Sequence, residues 1–370
     1  MRIAILTSSR ADYGIYLPLL DTIKEDPFFE LEIIAFGTHL SKFHGHTIDN
    51  IVKDKYRKIH KISSLLTNDD ELAIATSYGL TVLKFSDFWD KNKYDLVMCL
   101  GDRFEMSAAV QAGIPFGVKF AHIHGGETTL GAIDNTYRHQ ITLASSLHFV
   151  ATEEYKDKIT QLTGSNQDIY VTGALSLDEV MNYKPIERET FYKKFDLKQE
   201  PYALVTFHPE TVSVSKNSDY AAEMKEALEE ALKLVNLVIT MPNADTQGTM
   251  YRERIYELKD KYPERVVLIE NFGKINYFSA MWYAELLLGN TSSGIIEAAS
   301  FKKYVINVGD RQKGRSQSKN VLNVTFDSKD IVHQIRQCLK NGKYLGDNRY
   351  YKGGASESII SRIKELNQNT

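Results

Sequence analysis

Cysteine is scarce in this sequence, with Cys99 and Cys338 the only two among 370 residues. Two distant cysteines with no metal-ligand spacing argue against a disulfide framework and against a zinc site. No apolar stretch approaches the ~18 residues that a membrane span requires, since the most apolar one, residues 280–289, contains Glu285. The first residues also lack the apolar region and the cleavage site of a secretory signal. We therefore expect a cytoplasmic protein with no membrane contact.

An excess of charge of one sign is also missing. Lys and Arg total 45 against 48 Asp and Glu, which leaves a formal net charge of −3. Proteins that bind nucleic acids normally carry a basic excess, so no nucleic-acid partner is expected. The length of 370 residues, with 43% hydrophobic and 25% charged residues, indicates a globular protein of roughly two domains.

Short apolar runs alternate with amphipathic stretches along the chain, which is typical of βαβ units on parallel sheets. The predicted strands cover residues 3–7, 31–36, 95–100, 118–123, 147–150, 169–171, 202–207, 237–240, 266–270, 286–288 and 304–308. The predicted helices of the first half cover residues 13–24, 69–91, 103–112 and 135–144. The pattern predicts an α/β protein whose two Rossmann-like, doubly wound domains face a cleft, where ligands of such folds usually bind. We place the domains at residues 1–180 and 189–350, a linker at 182–188, and a helix at 355–370 that packs back on the first domain.

Polar residues follow the predicted strands of the first half. Arg10 lies in the first turn and is suited to binding a phosphate, although a surface arginine is the simpler interpretation. Asp102 follows the strand at 95–100, where it is either an N-cap or an acid–base group. Residues 122–127 contain His122, His124 and Glu127, and strand alternation predicts that both histidines lie on one face. Their spacing matches no metal-binding motif, so no metal is expected.

The second half carries a further set of candidates. His208 ends a strand before Pro209, and a lone histidine there is more often structural than catalytic. Residues 289–297 form a turn rich in glycine and hydroxyl groups ahead of an amphipathic helix, which predicts a phosphate site; the alternative is that Ser292 or Ser293 is a plain N-cap. Residues 309–315 add three cations, including Arg311, as either a solvated loop or a diphosphate clamp.

Seven segments occur together in one order, at residues 9–13, 101–105, 122–127, 207–211, 243–246, 289–297 and 309–315. They resemble the hydrolysing UDP-N-acetylglucosamine 2-epimerases of sialic acid biosynthesis, most of all those of bacterial capsule type, and the resemblance extends from residue 3 to the C-terminal helix. It implies a glycosyltransferase-B-like fold that converts UDP-N-acetylglucosamine and water to N-acetylmannosamine and UDP. The family's reaction is anti elimination of UDP to 2-acetamidoglucal followed by syn addition of water. The reaction requires no metal and no cofactor. The resemblance also implies a nucleotide-sugar as partner and a homodimer or higher homo-oligomer.

The resemblance also implies roles for single residues. Asp102 and Asp134 match catalytic carboxylates of the family, although Asp134, at a helix start, is also a candidate cap. Arg10 and Arg103 match arginines that face the nucleotide. Seven positions match residues that surround UDP in the family: His208, Asn243, Thr291, Ser292, Ser293, Glu297 and Arg311. Of these, His208 is also a candidate catalytic residue.

One position departs from several relatives. They read His-Ile-Glu-Gly-Gly-Glu, and their first glutamate is the accepted acid–base residue, whereas this chain has His124 there. Either His124 takes that role, helped by an ordinary pKa of ~6.5, or Glu127 does.

Three functions fit the sequence. The first is the hydrolysing 2-epimerase of UDP-N-acetylglucosamine. The second is the same chemistry on a nucleotide-linked 2,4-diacetamido-2,4,6-trideoxy sugar, on the route to legionaminic acid. The third is a glycosyltransferase or a non-catalytic nucleotide-sugar binder, which the fold alone would allow.

Overall fold

The computed structural model describes residues 1–43, 45–68, 70–130, 132–181, 183–210, 214–242 and 248–368. The chain divides into two compact units. Unit 1 comprises Met1–Glu127, Ile133–Asp178 and Tyr350–Thr370, and unit 2 comprises Thr128–Ala132 and Glu179–Arg349. The chain therefore enters unit 2 briefly at Thr128–Ala132, a segment that our sequence-based boundary places in the first domain.

Unit 1 is built on a seven-stranded parallel sheet in the order β3-β2-β1-β4-β5-β6-β7. The strands are β1 Arg2–Thr7, β2 Glu30–Phe36, β3 Lys58–Ile62, β4 Leu96–Leu100, β5 Phe120–Ile123, β6 Leu147–Val150 and β7 Ile169–Val171. The central strands are buried along almost their whole length, as expected for parallel strands that helices cover on both faces.

The helices of unit 1 are α1 Arg10–Glu25, α2 Ile48–Lys53, α3 Glu71–Lys91, α4 Phe104–Gly113, α5 Asp134–Ala144, α6 Glu153–Thr163 and α14 Ala355–Gln368. All of these except α6 contribute buried residues to two apolar cores. Helix α14 contributes Ile359 and Ile363 to the core that also holds Tyr16 and Leu20 of α1. Helix α7, Ser176–Met181, leads the chain out of unit 1.

Unit 2 has a six-stranded parallel sheet in the order β10-β9-β8-β11-β12-β13. Its strands are β8 Tyr202–Thr206, β9 Asn236–Thr240, β10 Val266–Ile269, β11 Leu286–Gly289, β12 Tyr304–Val308 and β13 Val321–Val324. Its helices are α8 Arg188–Lys194, α9 Asn217–Ala231, α10 Gly248–Lys261, α11 Lys274–Tyr283, α12 Ser292–Ile296 and α13 Ser328–Asn341. Both units thus have the predicted doubly wound, parallel α/β architecture.

The described part of the predicted linker, residues 183–188, is bound to helix α11 by hydrogen bonds. The Tyr183 hydroxyl donates to the Ile275 carbonyl at 2.7 Å, and the Ile186 N–H donates to Ser279 Oγ at 3.0 Å. Among the described helices, none combines the length and the apolar content needed to cross a bilayer. The two cysteines are buried thiols, one in each unit.

Candidate functional site

The turn after β4 presents Asp102 at the carboxyl edge of the unit 1 sheet. Gly101 begins this turn in the left-handed region, with φ at 79°. Arg103, and not Asp102, is the N-cap residue of α4, so the interpretation of Asp102 as a helix cap is wrong. The Asp102 carboxylate instead accepts a hydrogen bond from the guanidinium of Arg138 and keeps about a third of its side chain exposed (32%).

Arg138 connects the turn after β4 with the turn after β5. This α5 residue is buried, and its guanidinium donates to the Asp102 carboxylate and to the backbone carbonyl of His124. A buried arginine that touches two candidate catalytic turns fixes their separation and the orientation of the Asp102 carboxylate. The sequence alone does not predict a role for Arg138. Its spacing of four residues from Asp134 on α5 is the one local indication that it lies near the candidate site.

The two histidines after β5 differ in their surroundings. His122, inside the strand, is fully buried, with Nε2 at 2.9 Å from the Gly101 carbonyl and Nδ1 at 3.0 Å from Thr142 Oγ1. Burial lowers the pKa of His122 well below its ordinary value, so the ring is neutral. Because the carbonyl can only accept, Nε2 carries the proton. His122 therefore supports the turn of Asp102.

His124 lies beyond the end of β5, in the left-handed region with φ at 62°. Its Nδ1 is 2.7 Å from Oε1 of Glu127, and both side chains are largely buried. Its Nε2 is buried and has no hydrogen-bond partner among the residues that the structure describes. Since the Glu127 carboxylate accepts from Nδ1–H, a neutral ring has its free lone pair on Nε2. In this geometry Glu127 orients the His124 ring, and Nε2 of His124 is left as the candidate base.

Gly126 allows this turn to close. Its φ is +76°, and a Cβ there would lie 2.5 Å from the Tyr155 carbonyl oxygen. Any larger residue would displace the turn that brings Glu127 back to His124.

Asp134 lies at the first position of α5 and is electrostatically coupled to Asp102. Desolvation and the charge of Asp102 raise the pKa of Asp134, while Arg138 and Arg103 oppose the rise. The N-cap of α5 is Ile133, so the Asp134 side chain does not cap the helix. A carboxyl group whose pKa is raised next to an ionised one is suited to donating a proton.

The two N-terminal arginines are placed differently from each other. Arg103 makes a forked contact with Glu105, at 3.2 and 2.7 Å. Arg10 is exposed at the start of α1, in a turn that the buried Asp12 holds by accepting from the N–H groups of Ser8 and Ser9, each at 2.7 Å. Arg10 therefore points to solvent from a rigid turn.

In unit 2, the turns after β8 and β11 are bound together. Asn290 Oδ1 accepts from the His208 N–H and Asn290 Nδ2 donates to the His208 carbonyl, both at 2.8 Å. Gly289 makes this approach possible, because a Cβ there would lie 1.8 Å from the Thr206 carbonyl oxygen. The backbone of His208 is thereby fixed at the carboxyl edge of the sheet.

A helix follows the turn after Gly289, as predicted, but it is short. Helix α12 has only five residues, and its N-cap is Thr291, rather than Ser292 or Ser293, without a side-chain hydrogen bond. Because so short a helix has a small dipole, the hydroxyl groups are the larger part of the candidate phosphate site in this turn. Ser292 is exposed, and Glu297 is buried just after α12. Burial raises the pKa of the neighbouring Tyr277 to about 12; the nearby Ser293 hydroxyl opposes the rise and the charge of Glu297 adds to it.

The cations after β12 do not act as one clamp. Arg311 donates to the Pro209 carbonyl at 2.9 Å, Lys313 pairs with Asp310 at 3.3 Å, and Arg315 Nε lies 3.4 Å from Thr129 Oγ1. Arg311 alone joins the turn that carries His208. Asn243 lies outside the described residues. Within the described part of the chain, no cluster of His, Cys, Asp or Glu is arranged to hold a metal ion.

The family model described as UDP-N-acetylglucosamine 2-epimerase matches residues 21–364 of this chain. The chain belongs to that family. The described candidate groups follow β1, β4 and β5 in unit 1 and β8, β11 and β12 in unit 2.

Two curated relatives match this chain over nearly its whole length. The GDP/UDP-N,N'-diacetylbacillosamine 2-epimerase (hydrolysing) of Campylobacter jejuni is 34% identical, covering 100% of this chain and 97% of the relative. The UDP-N,N'-diacetylbacillosamine 2-epimerase (hydrolysing) of Legionella pneumophila is 33% identical, covering 99% of this chain and 96% of the relative. The hydrolysing branch of the family is therefore the one that this chain resembles.

A solved structure shares the fold. The UDP-N-acetylglucosamine 2-epimerase from Neisseria meningitidis, bound to UDP-N-acetylglucosamine, superposes with a TM-score of 0.80 at 17% identity, covering 99% of this chain and 100% of that chain. The prediction of a glycosyltransferase-B-like pair of α/β domains is confirmed.

Proposed function

We propose that this family member is a hydrolysing 2-epimerase of a UDP-linked 2-acetamido sugar, and that its substrate is UDP-N,N'-diacetylbacillosamine. The observation that carries the reaction is the pair of oriented proton-transfer groups in unit 1, His124 held by Glu127 at 2.7 Å and Asp102 held by Arg138. The choice of sugar is supported by the substrate in the names of the two relatives, which match this chain from end to end.

The stereochemistry of the reaction requires more than one acid–base group. Anti elimination removes the C2 proton from the face opposite the leaving UDP, breaks the C1–O bond and leaves a C1=C2 double bond. Syn addition then places the water oxygen on C1 and a proton on the other face of C2. Proton transfer on two opposite faces needs two separate groups.

Unit 1 offers those groups in different electrostatic settings. In our proposal the unprotonated Nε2 of His124 removes one proton, and Asp134, whose pKa is raised by desolvation and by Asp102, is the candidate donor to C2. Asp102, oriented by its contact with Arg138, is suited to activating the water that attacks C1. Arg10 and Arg103 are further candidates on the nucleotide side.

Unit 2 supplies the candidate UDP contacts. Thr291, Ser292 and Ser293 present hydroxyl groups after β11, Arg311 supplies positive charge for the diphosphate, and the buried Glu297 is suited to accepting from the ribose hydroxyls. UDP leaves as an anion, so a cation here would stabilise the departing charge. No step of this scheme needs a cofactor or a metal, and a homodimer remains our expectation from the resemblance.

The second candidate substrate is UDP-N-acetylglucosamine, which the matching family model carries in its name. The experiment that separates the candidates is product analysis with each nucleotide-sugar and no acceptor. We expect UDP and the manno-configured 2,4-diacetamido sugar from UDP-N,N'-diacetylbacillosamine at a kcat/KM at least tenfold above that for UDP-N-acetylglucosamine, the ratio produced by about 1.4 kcal/mol. The reverse ratio would assign the second substrate, and a strict need for an acceptor would contradict the epimerase proposal.

A further inference from the structure

Glu210 joins the turn after β8 to the turn after β12. Its Oε1 accepts from the backbone N–H groups of Asp310 at 3.0 Å and Arg311 at 3.1 Å, and only 3% of the residue is exposed. We propose that Glu210 is a positioning residue, which holds the Arg311 turn in the shape that binds the diphosphate of UDP. The inference rests on the proposed function, because it takes the ligand of that turn to be UDP.

The connection runs in both directions. While Glu210 accepts from the backbone of the β12 turn, the Arg311 guanidinium donates to the Pro209 carbonyl at 2.9 Å. Strands β8 and β12 lie on either side of β11 in the sheet, so these bonds span the end of β11. An arginine whose backbone and side chain are both tied to the opposite turn has few conformations left, which reduces the entropy lost on binding an anion.

The β12 turn is shaped to receive this carboxylate. Gly309 has a φ of +81°, and a Cβ on it would lie 2.3 Å from Glu210 Oε1 and 2.5 Å from Phe326 Cε2. Glycine is therefore required at this position for two reasons, its left-handed backbone and the close approach of the carboxylate.

Glu210 is also held on its own side. Asn217, which is buried, accepts from the Glu210 N–H at 2.8 Å and donates to the Glu210 carbonyl at 3.1 Å. The side chain thus extends from a fixed backbone to a fixed pair of N–H groups, and its length determines where Arg311 lies.

Burial gives this arrangement a cost. Desolvation raises the pKa of Glu210 despite the two backbone N–H groups, which means that the fold disfavours the ionised form. A residue retained for stability alone would avoid that penalty. A role in shaping the Arg311 turn accounts for a buried carboxyl group here.

The test compares side-chain length with side-chain charge. UDP affinity is measured by titration calorimetry for the unaltered chain and for Glu210→Ala, Glu210→Asp and Glu210→Gln. We expect Glu210→Ala and Glu210→Asp to bind UDP about tenfold more weakly, since a tenfold loss is about 1.4 kcal/mol and two hydrogen bonds are affected. Glu210→Gln keeps the length and one acceptor oxygen, so it should recover most of what alanine loses.

Glu32 provides the matched control. It is a buried glutamate on β2 of unit 1, away from the strand ends that carry the candidate site. Its carboxylate pairs with Arg2 at 2.8 Å. Glu32→Ala should lower the melting temperature and leave UDP affinity within twofold of the unaltered chain.

A double mutant separates positioning from general damage. If Glu210 acts through Arg311, adding Glu210→Ala to Arg311→Ala should weaken UDP binding by less than twofold further. Equal losses in Glu210→Asp and Glu210→Gln, or fully additive losses in the double mutant, would overturn the inference while the proposed function stands. Failure of the unaltered chain to bind UDP would overturn the proposed function and this inference together.

Discussion

The candidate sites of the two units differ in whether titratable side chains pair with each other. In unit 1, His124 pairs with Glu127 and Asp102 pairs with Arg138, in addition to bonds from side chains to backbone such as that of Arg138 to the His124 carbonyl. In unit 2, side chains hold the backbone of neighbouring turns, as in the contacts of Asn290 with His208 and of Glu210 with the Arg311 turn.

The difference suggests a division of labour. Pairs of titratable side chains tune protonation, tautomer and orientation, which is what proton transfer to and from C2 requires. Bonds from side chains to backbone fix the shape of loops, which is what a binding surface for UDP requires. In our proposal, the strand-to-helix edge of the sheet therefore serves mainly chemistry in unit 1 and mainly recognition in unit 2.

The largest expected effect comes from replacing the base of unit 1. His124→Gln removes the titratable Nε2, so kcat should fall by about 10²–10⁴-fold, the usual contribution of a general base. UDP affinity should change little, because His124 is not among the candidate UDP contacts. His124→Glu should restore measurable turnover with an altered pH–rate profile, and Glu127→Gln should be milder than His124→Gln.

The control for this replacement is His148, a buried histidine on the neighbouring strand β6. His148→Gln should lower stability and leave the catalytic step nearly intact. Near-normal kcat in His124→Gln, measured alongside this control, would show that the histidine only supports its turn.

The second effect concerns acid stability, and it also separates the units. Burial lowers the pKa of His148 to about 4, below the ordinary value of about 6.5. The unfolded chain therefore binds more protons between pH 6.5 and 4, so stability falls as the pH falls through that window. At about 1.4 kcal/mol per unit of pKa, the loss is about 3 kcal/mol.

In unit 2, Glu210 has the opposite effect on the pH dependence of stability. The raised pKa of Glu210 means that the folded chain binds its proton more readily, so acidification stabilises this unit at that residue. Hydrogen exchange between pH 6.5 and 4 should show unit 1 amides losing protection before unit 2 amides, and His148→Asn should reduce that loss. Equal loss of protection in both units would contradict the contrast.

The third effect tests recognition by unit 2. Arg311→Ala should weaken UDP binding by about 1.5–3 kcal/mol, the range for a charge-assisted hydrogen bond. Lys313→Ala is the matched control, because Lys313 is exposed and pairs with Asp310, and it should change affinity by no more than about 0.5 kcal/mol. Calorimetry that finds equal affinities for the two variants would remove Arg311 from the candidate site.

Much of the fold is predictable from the sequence, because buried parallel strands read as continuous apolar runs. The two strands that we missed, β3 and β13, are both edge strands that pair on one side only. The segment Lys58–Ile62 has only two apolar residues, Ile59 and Ile62, separated by a histidine and a lysine, so it gives neither a continuous apolar run nor a clear alternation. The length of α12 is also not predictable from the sequence, because hydroxyl residues favour a helix start but do not determine how far the helix continues.

The candidate residues were easier to predict than their contacts. Asp102 and His124 follow apolar strands, so their place at the sheet edge follows from topology. The contact of Arg138 with both turns depends on how α5 packs across two strand ends, for which the sequence has no local signal. The same holds for Glu210, whose partners at Asp310 and Arg311 lie about a hundred residues away in the chain.

The central claim is that unit 1 exchanges a proton at C2 of a UDP-sugar while UDP departs by cleavage of the C1–O bond. The most direct test is turnover of UDP-N,N'-diacetylbacillosamine in D₂O, with a parallel reaction in H₂¹⁸O, analysed by NMR and mass spectrometry. Our account predicts one deuterium at C2 of the released manno-configured sugar and ¹⁸O in its C1 hydroxyl group, with none in UDP. Retention of protium at C2, or ¹⁸O in the phosphate of UDP, would contradict it.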